Sequence, residues 1–307
     1  MSFSNNIKNE LARLEVPSHC CQIAQLAGLV RMDGTILIGS HRRIQLELVT
    51  ENAAVARMAF KSLKKLFQVE TEITVSRRNR LKKNNIYIVR LPNQEKINEV
   101  LNVLGLTKNG LMYNPGINER LVRKECCQRS YLRGVFLGAG SLSDPENSYH
   151  LELVTNSEEY SEALVELMSR FGLSPHISSR KNNLVVYLKD SEQIVDYLNI
   201  IGAHHALLDL ENIRIQKDMR NQVNRLVNCE TANLHKTVDA AYHQKMCIRD
   251  RLRVVLHSAL VGDVKGIGEA DRFAGGVHAV HTLTVSYTHL RKDRLFHPLA
   301  RLAAPLD

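Results

Sequence analysis

The chain repeats itself, and that constrains its fold more than any other property of the sequence. Cys20-Cys21-Gln22 returns as Cys126-Cys127-Gln128, 106 residues later, and Gly28 returns as Gly134 at the same offset. Leu46-Glu47-Leu48-Val49-Thr50 returns unchanged as residues 151–155, an offset of 105. Lys83-Asn84-Asn85 returns as Lys181-Asn182-Asn183, and Leu101-Asn102 with Gly105 returns as Leu198-Asn199 with Gly202, at offsets of 98 and 97. The drift is small and in one direction, as loop deletions produce. Residues 19–106 and 125–203 are therefore two copies of one unit.

The unit reads as α+β. It opens with an apolar, small-residue helix over 20–32, repeated over 126–137. Two short strands follow, the second over 43–49 and again over 150–155. There Leu46 and Leu48 alternate with Glu47 and Val49, the period of a half-buried strand. An amphipathic helix is predicted over 52–67, with Val55, Met58, Ala59, Leu63 and Leu66 near helical spacing, and its copy over 157–171. A β-hairpin comes next, 72–76 with 86–90, and in the second copy 176–179 with 184–187. The Asn84-Asn85 and Asn182-Asn183 pairs suit its turn, because asparagine tolerates positive φ. A closing helix spans 94–104 and 191–201. The unit order is thus helix, β-hairpin, helix, β-hairpin, helix, in two tandem copies related by a pseudo-twofold axis.

The formal net charge of +9 favours polyanionic partners, by Coulomb attraction and counterion release. No run approaches the roughly 18 apolar residues of a membrane span, and the N-terminus lacks the apolar stretch of a signal peptide. A cytoplasmic, nucleoid-associated protein without a membrane partner is expected. Six cysteines are too few for a disulfide scaffold. Adjacent thiols lack C-x-x-C spacing, so Cys20-Cys21 and Cys126-Cys127 read as buried small residues, with no metal or other cofactor expected.

Residues 26–34, LAGLVRMDG, match the LAGLIDADG motif at six of nine positions, on the predicted helix that opens a repeat. Residues 132–140, LRGVFLGAG, stand in register with them as a degenerate copy. The resemblance implies a fold in which Gly28 and Gly134 let two helices approach at the repeat interface. In LAGLIDADG endonucleases the eighth motif position supplies an acid from each repeat, and together the acids hold divalent metal at the scissile phosphates. Here those positions are Asp33 and Ala139. Alanine cannot ligate a metal, so the acid Asp33 is vestigial and no catalytic residue is assigned. A strand-then-glycine reading of Gly138-Ala139-Gly140 as a dinucleotide fingerprint fails. The third glycine is replaced by Ser143, and residues 144–147 read as a turn where that motif needs a helix.

Residues 1–244 resemble the WhiA family more closely than any nuclease. The residues that carry this are 4–14 (SNNIKNELARL), the two Cys-Cys-Gln segments, 131–144 (YLRGVFLGAGSLSD) and 221–241 (NQVNRLVNCETANLHKTVDAA). The resemblance implies a bacterial DNA-binding regulator of sporulation or cell division, without nuclease activity. Its partner would be double-stranded DNA, with other regulators or a sigma factor as further partners. The alternative is a homing endonuclease or RNA maturase whose site rests on Asp33.

In the fold that the resemblance implies, the sheets face DNA. Arg77, Arg78, Arg80, Lys82 and Lys83 crowd the first hairpin, and Arg42 and Arg43 enter a strand of the same sheet. Arg180 and Lys181 stand at the second hairpin. These nine residues are the expected phosphate contacts, whereas Lys61, Lys64 and Lys65 read as the solvent face of a helix. The domain boundaries follow. Residues 1–110 hold an N-terminal helix and the first repeat, and residues 111–218 the second. Residues 219–244 form a linker helix toward a helix-turn-helix domain, which the family would place next. Residues 245–307 instead read as foreign sequence. Five glycines fall between Gly262 and Gly276, and residues 246–251 and 285–291 resemble translated adapter sequence.

Overall fold

The computed structural model describes residues 2–39, 44–77, 85–92, 96–108, 112–181 and 183–262. The chain divides into two units, residues 1–225 and 226–307.

In the first unit, α1 (Phe3–Leu11) precedes the first repeat. That repeat runs α2 (His19–Asp33), β1 (Gly34–Ile38), β2 (Ile44–Thr50), α3 (Ala53–Phe67), β3 (Glu72–Arg77), β4 (Asn85–Leu91) and α4 (Ile97–Val103). A two-stranded ribbon of β5 (Thr107–Lys108) and β6 (Met112–Tyr113) leads to the second repeat. There α5 (Glu125–Ala139), β7 (Gly140–Leu142), β8 (Leu151–Thr155), α6 (Glu158–Ser169), β9 (His176–Arg180), β10 (Asn183–Leu188) and α7 (Ser191–Ile201) follow in the same order. The two sheets share one topology, β1-β2-β4-β3 and β7-β8-β10-β9, every neighbour antiparallel. This is the α+β, two-repeat architecture read from the sequence.

Local chemistry sets the element ends. Asn52 caps α3, its Oδ1 accepting from Ala54 N–H at 2.8 Å and Val55 N–H at 3.1 Å. Its amide donates in turn to Asn5 Oδ1 and Asn9 Oδ1, at 2.5 and 3.0 Å, which docks α1 on α3. Ser157 and Asp190 cap α6 and α7 in the same way. Gly202 ends α7 at φ +83°, a left-handed conformation that glycine adopts without strain. Of the asparagine pairs expected at the hairpin turns, Asn84 and Asn182 lie outside the described residues. Asn85 and Asn183 are strand residues, and in the second turn Lys181 takes the left-handed conformation, φ +57°.

The core gathers on the pair α2 and α5. Helix α2 is buried without a break from Ala24 through Val30, as a helix at the centre of a unit must be. A methyl group at Gly134 would meet the Gln25 carbonyl oxygen, and one at Gly28 the Tyr131 carbonyl oxygen, well inside contact distance. Backbone therefore lies on backbone at the crossing of the two helices. Cys21 and Cys127 are buried, but Cys20 and Cys126 are exposed, because adjacent positions in a helix are turned about 100° apart.

Helix α8 spans His204–Gly262. It does not stop near Gln244, where the sequence changes character; residues 245–262 hold few helix breakers and continue it. Residues 263–307, with the glycine-rich stretch, lie outside the described residues.

Candidate nucleic-acid interface

Helices α2 and α5 run side by side in the same direction and end together on Asp33 and Ala139. Each then turns into the first strand of its sheet, at Gly34 and Gly140. Burial pushes the Asp33 carboxyl up to about 6, and the Lys8 ammonium partly opposes the rise. Lys8 comes from α1, and its Nζ donates to the Gly138 carbonyl at 2.7 Å. Burial pushes Lys8 down, with Asp33 acting the other way. The cluster thus holds one carboxyl, one ammonium and a methyl group. A divalent cation shared between repeats wants a carboxylate from each. Here one acid is missing and a protein cation stands beside the other. The residues present do not fit the nuclease metal, and no cleavage step can be derived from them.

The open face of each sheet follows from strand alternation. In the first sheet Leu46, Leu48, Val89 and Leu91 point into the core, so Gln45, Glu47, Val49, Ile88 and Arg90 point out. Arg90 Nε donates to Glu47 Oε1 at 2.6 Å, closing the charge at the centre of this face. The second sheet repeats the device around Glu152. Its Oε2 lies 3.8 Å from Arg180 Nη1 and 3.5 Å from His150 Nε2. The described strand faces are therefore close to charge-balanced, and further exposed cations lie at their ends.

The predicted contact residues are distributed accordingly. Arg180 is exposed on the open face, and Lys181 is exposed in the turn beside it. Arg77 is exposed at the end of β3, but it pairs with Asn85, two steps from the Ile73–Val89 pair and on the same side as buried Val89. It leaves the sheet on the side that the core covers. Arg42, Arg43, Arg78, Arg80, Lys82 and Lys83 lie outside the described residues.

Sequence reasoning assigns no role to Lys8, Glu47 or Glu152. For the two glutamates a signal exists, since both take the second position of the one pentapeptide that repeats unchanged. Lys8 has none, because its partners are 130 residues downstream or known only from the fold. Arg31 likewise carries no sequence signal. Its guanidinium lies between the Tyr113 and Tyr160 rings, 4.7 Å from each centroid, and donates to the carbonyls of Asn114 and Pro115. It ties the inter-repeat ribbon to both repeats.

Two family descriptions match this chain: the WhiA N-terminal LAGLIDADG-like domain over residues 19–107, and the WhiA LAGLIDADG-like domain over residues 128–220. The chain belongs to the WhiA family. A probable cell division protein WhiA from Desulforamulus reducens is 54% identical over 245 residues, which cover 80% of this chain and 76% of that protein. One from Heliobacterium modesticaldum is 51% identical over 251 residues, covering 81% and 78%. The crystal structure of full-length WhiA from Thermatoga maritima superposes with a TM-score of 0.58 at 24% identity, over 78% of this chain and 75% of that one. The WhiA fold is shared even at that distance in sequence. Among the described residues no helix is long and apolar enough to cross a membrane.

Proposed function

We propose that the chain is a DNA-binding transcriptional regulator of the WhiA type, acting in cell division or sporulation at the nucleoid, and that it holds DNA without cutting it. The observation that carries the second half is the cluster at the ends of α2 and α5: Ala139 offers no ligand, and Asp33 faces Lys8. The first half is supported by the family, by the net charge of +9, and by exposed cations at the strand ends. Because the sheet centres are nearly neutral, DNA is held through the hairpins, by Arg78, Arg80, Lys82 and Lys83 in the first repeat, with Arg77 at the exposed end of the edge strand β3, and by Arg180 and Lys181 in the second. Arg42 and Arg43 serve the first sheet. These side chains reach phosphates, which fix position and carry no sequence information.

The test is a nuclease assay on supercoiled and linear DNA in Mg²⁺ and in Mn²⁺, run beside a gel-shift titration. Retarded DNA that stays intact is the expected result. Metal-dependent cleavage that disappears in Asp33→Ala would overturn the reading in favour of an asymmetric endonuclease. Absence of any retardation at low salt would remove DNA as the partner.

A further inference from the structure

The two cysteine pairs meet in space. Cys20-Cys21 lies in the first turn of α2 and Cys126-Cys127 in the first turn of α5. Since the helices run together, these turns converge at the end opposite Asp33, about 20 Å of helix away. Cys21 Sγ and Cys127 Sγ are 3.9 Å apart. The sulfurs of Cys20, Cys21 and Cys127 all lie within 4.8 Å of one another. Cys126 is exposed beside them, and its side chain acts on Cys21. A tetrahedral zinc site with Zn–S bonds of about 2.3 Å has S···S edges of about 3.8 Å. The Cys21–Cys127 separation is already that of a shared edge.

Two helix N-termini point their partial positive charge at the cluster. The Cys20 thiol is held below its ordinary value, first by a hydrogen bond from Cys127 and further by the Lys124 ammonium. The Arg133 guanidinium is largely buried and donates to the Ile201 carbonyl at 2.6 Å. Burial pushes the Cys21 and Cys127 thiols up.

We propose that Cys20, Cys21, Cys126 and Cys127 bind one zinc ion on the pseudo-twofold axis, Cys126 completing the tetrahedron by rotation of its exposed side chain. Each thiol releases its proton to solvent as its sulfur binds. The ion clamps the first turns of α2 and α5, fixing one repeat against the other far from the sheets. Spacing within either pair gives no hint of this, because each pair supplies half of the ligands. The second half lies 106 residues away, at the offset of the repeat itself.

Cobalt reports such a site directly. The full chain, reduced and stripped with a chelator, is titrated with Co²⁺ and then with Zn²⁺. The expected result is one cobalt per chain with the absorption of a tetrahedral thiolate complex, displaced stoichiometrically by zinc, together with a zinc-dependent rise in Tm. Cys20→Ser and Cys126→Ser change exposed side chains and leave the fold intact by circular dichroism. Each should weaken zinc binding at least about tenfold. Cys229→Ser and Cys247→Ser, which lie on α8, should bind as the parent does. A reduced parent that binds no cobalt, or a cobalt spectrum unchanged in both Cys20→Ser and Cys126→Ser, overturns the proposal.

Discussion

At the scale of single residues, the unusual group is Asp33. Its carboxyl is pushed up to about 6 in the folded chain, by burial first, against an ordinary value of about 3.9. Folding therefore favours the protonated form. The stability this contributes is present below about pH 4 and is lost as pH rises through 6. Asparagine has the shape of the protonated carboxyl and never ionises. Asp33→Asn should thus match the parent near pH 4 and gain on it up to and beyond pH 6, with a ceiling of about 3 kcal/mol. Urea unfolding at several pH values reads this difference. A constant gap, or one that shrinks as pH rises, would show that Lys8 compensates the carboxylate in full.

At the scale of elements, the hairpins are the proposed DNA-binding parts. Replacing Arg77, Arg78 and Arg80 together by alanine should flatten the plot of log affinity against log salt by about 0.9 for each phosphate no longer neutralised. Replacing Lys61, Lys64 and Lys65 on the outer face of α3 should leave the slope unchanged. Equal slopes for both variants and the parent would move the interface off the first hairpin. The elements themselves are largely readable in the sequence. The LELVT pentapeptide announces β2 and β8, and Asn52 and Ser157 announce the helices that follow, because alternation and capping are short-range. What cannot be read is which side of a strand a residue takes once the register is set. Arg77 and Arg180 occupy similar places at the two hairpins, yet they emerge on opposite sides of their sheets. The end of α8 is equally hidden, since a junction between two helix-compatible sequences leaves no break. The cysteine cluster and the Lys8–Asp33 pairing are illegible for a related reason: both join segments far apart in the chain.

At the scale of the whole molecule, the two repeats are halves of one core. Helix α2 is buried from Ala24 through Val30 only because α5 lies on it, backbone against backbone at Gly28 and Gly134. A single repeat would expose that face. Residues 1–107 expressed alone should therefore not be a folded monomer. They should be unfolded, or paired with a second copy through α2, as light scattering combined with circular dichroism would distinguish. A stable, monomeric, fully helical fragment would mean that the helix pair is not the common core.

The first helix has its partners far ahead of it in the chain. Ser4 exchanges hydrogen bonds with Leu142, Lys8 donates to Gly138, and the Glu10 carboxylate accepts from the backbone N–H groups of His205 and Ala206, capping α8. These bonds span 130 to 196 residues. A ribosome adding about 5–20 residues per second needs on the order of 10–40 s to supply them after α1 has emerged. During that interval Ile7 and Leu11, fully buried in the finished protein, have no surface in the second repeat to cover them. The nascent N-terminus can thus dock on α3 early, through Asn5 and Asn9, but completes its docking only when the second repeat is made.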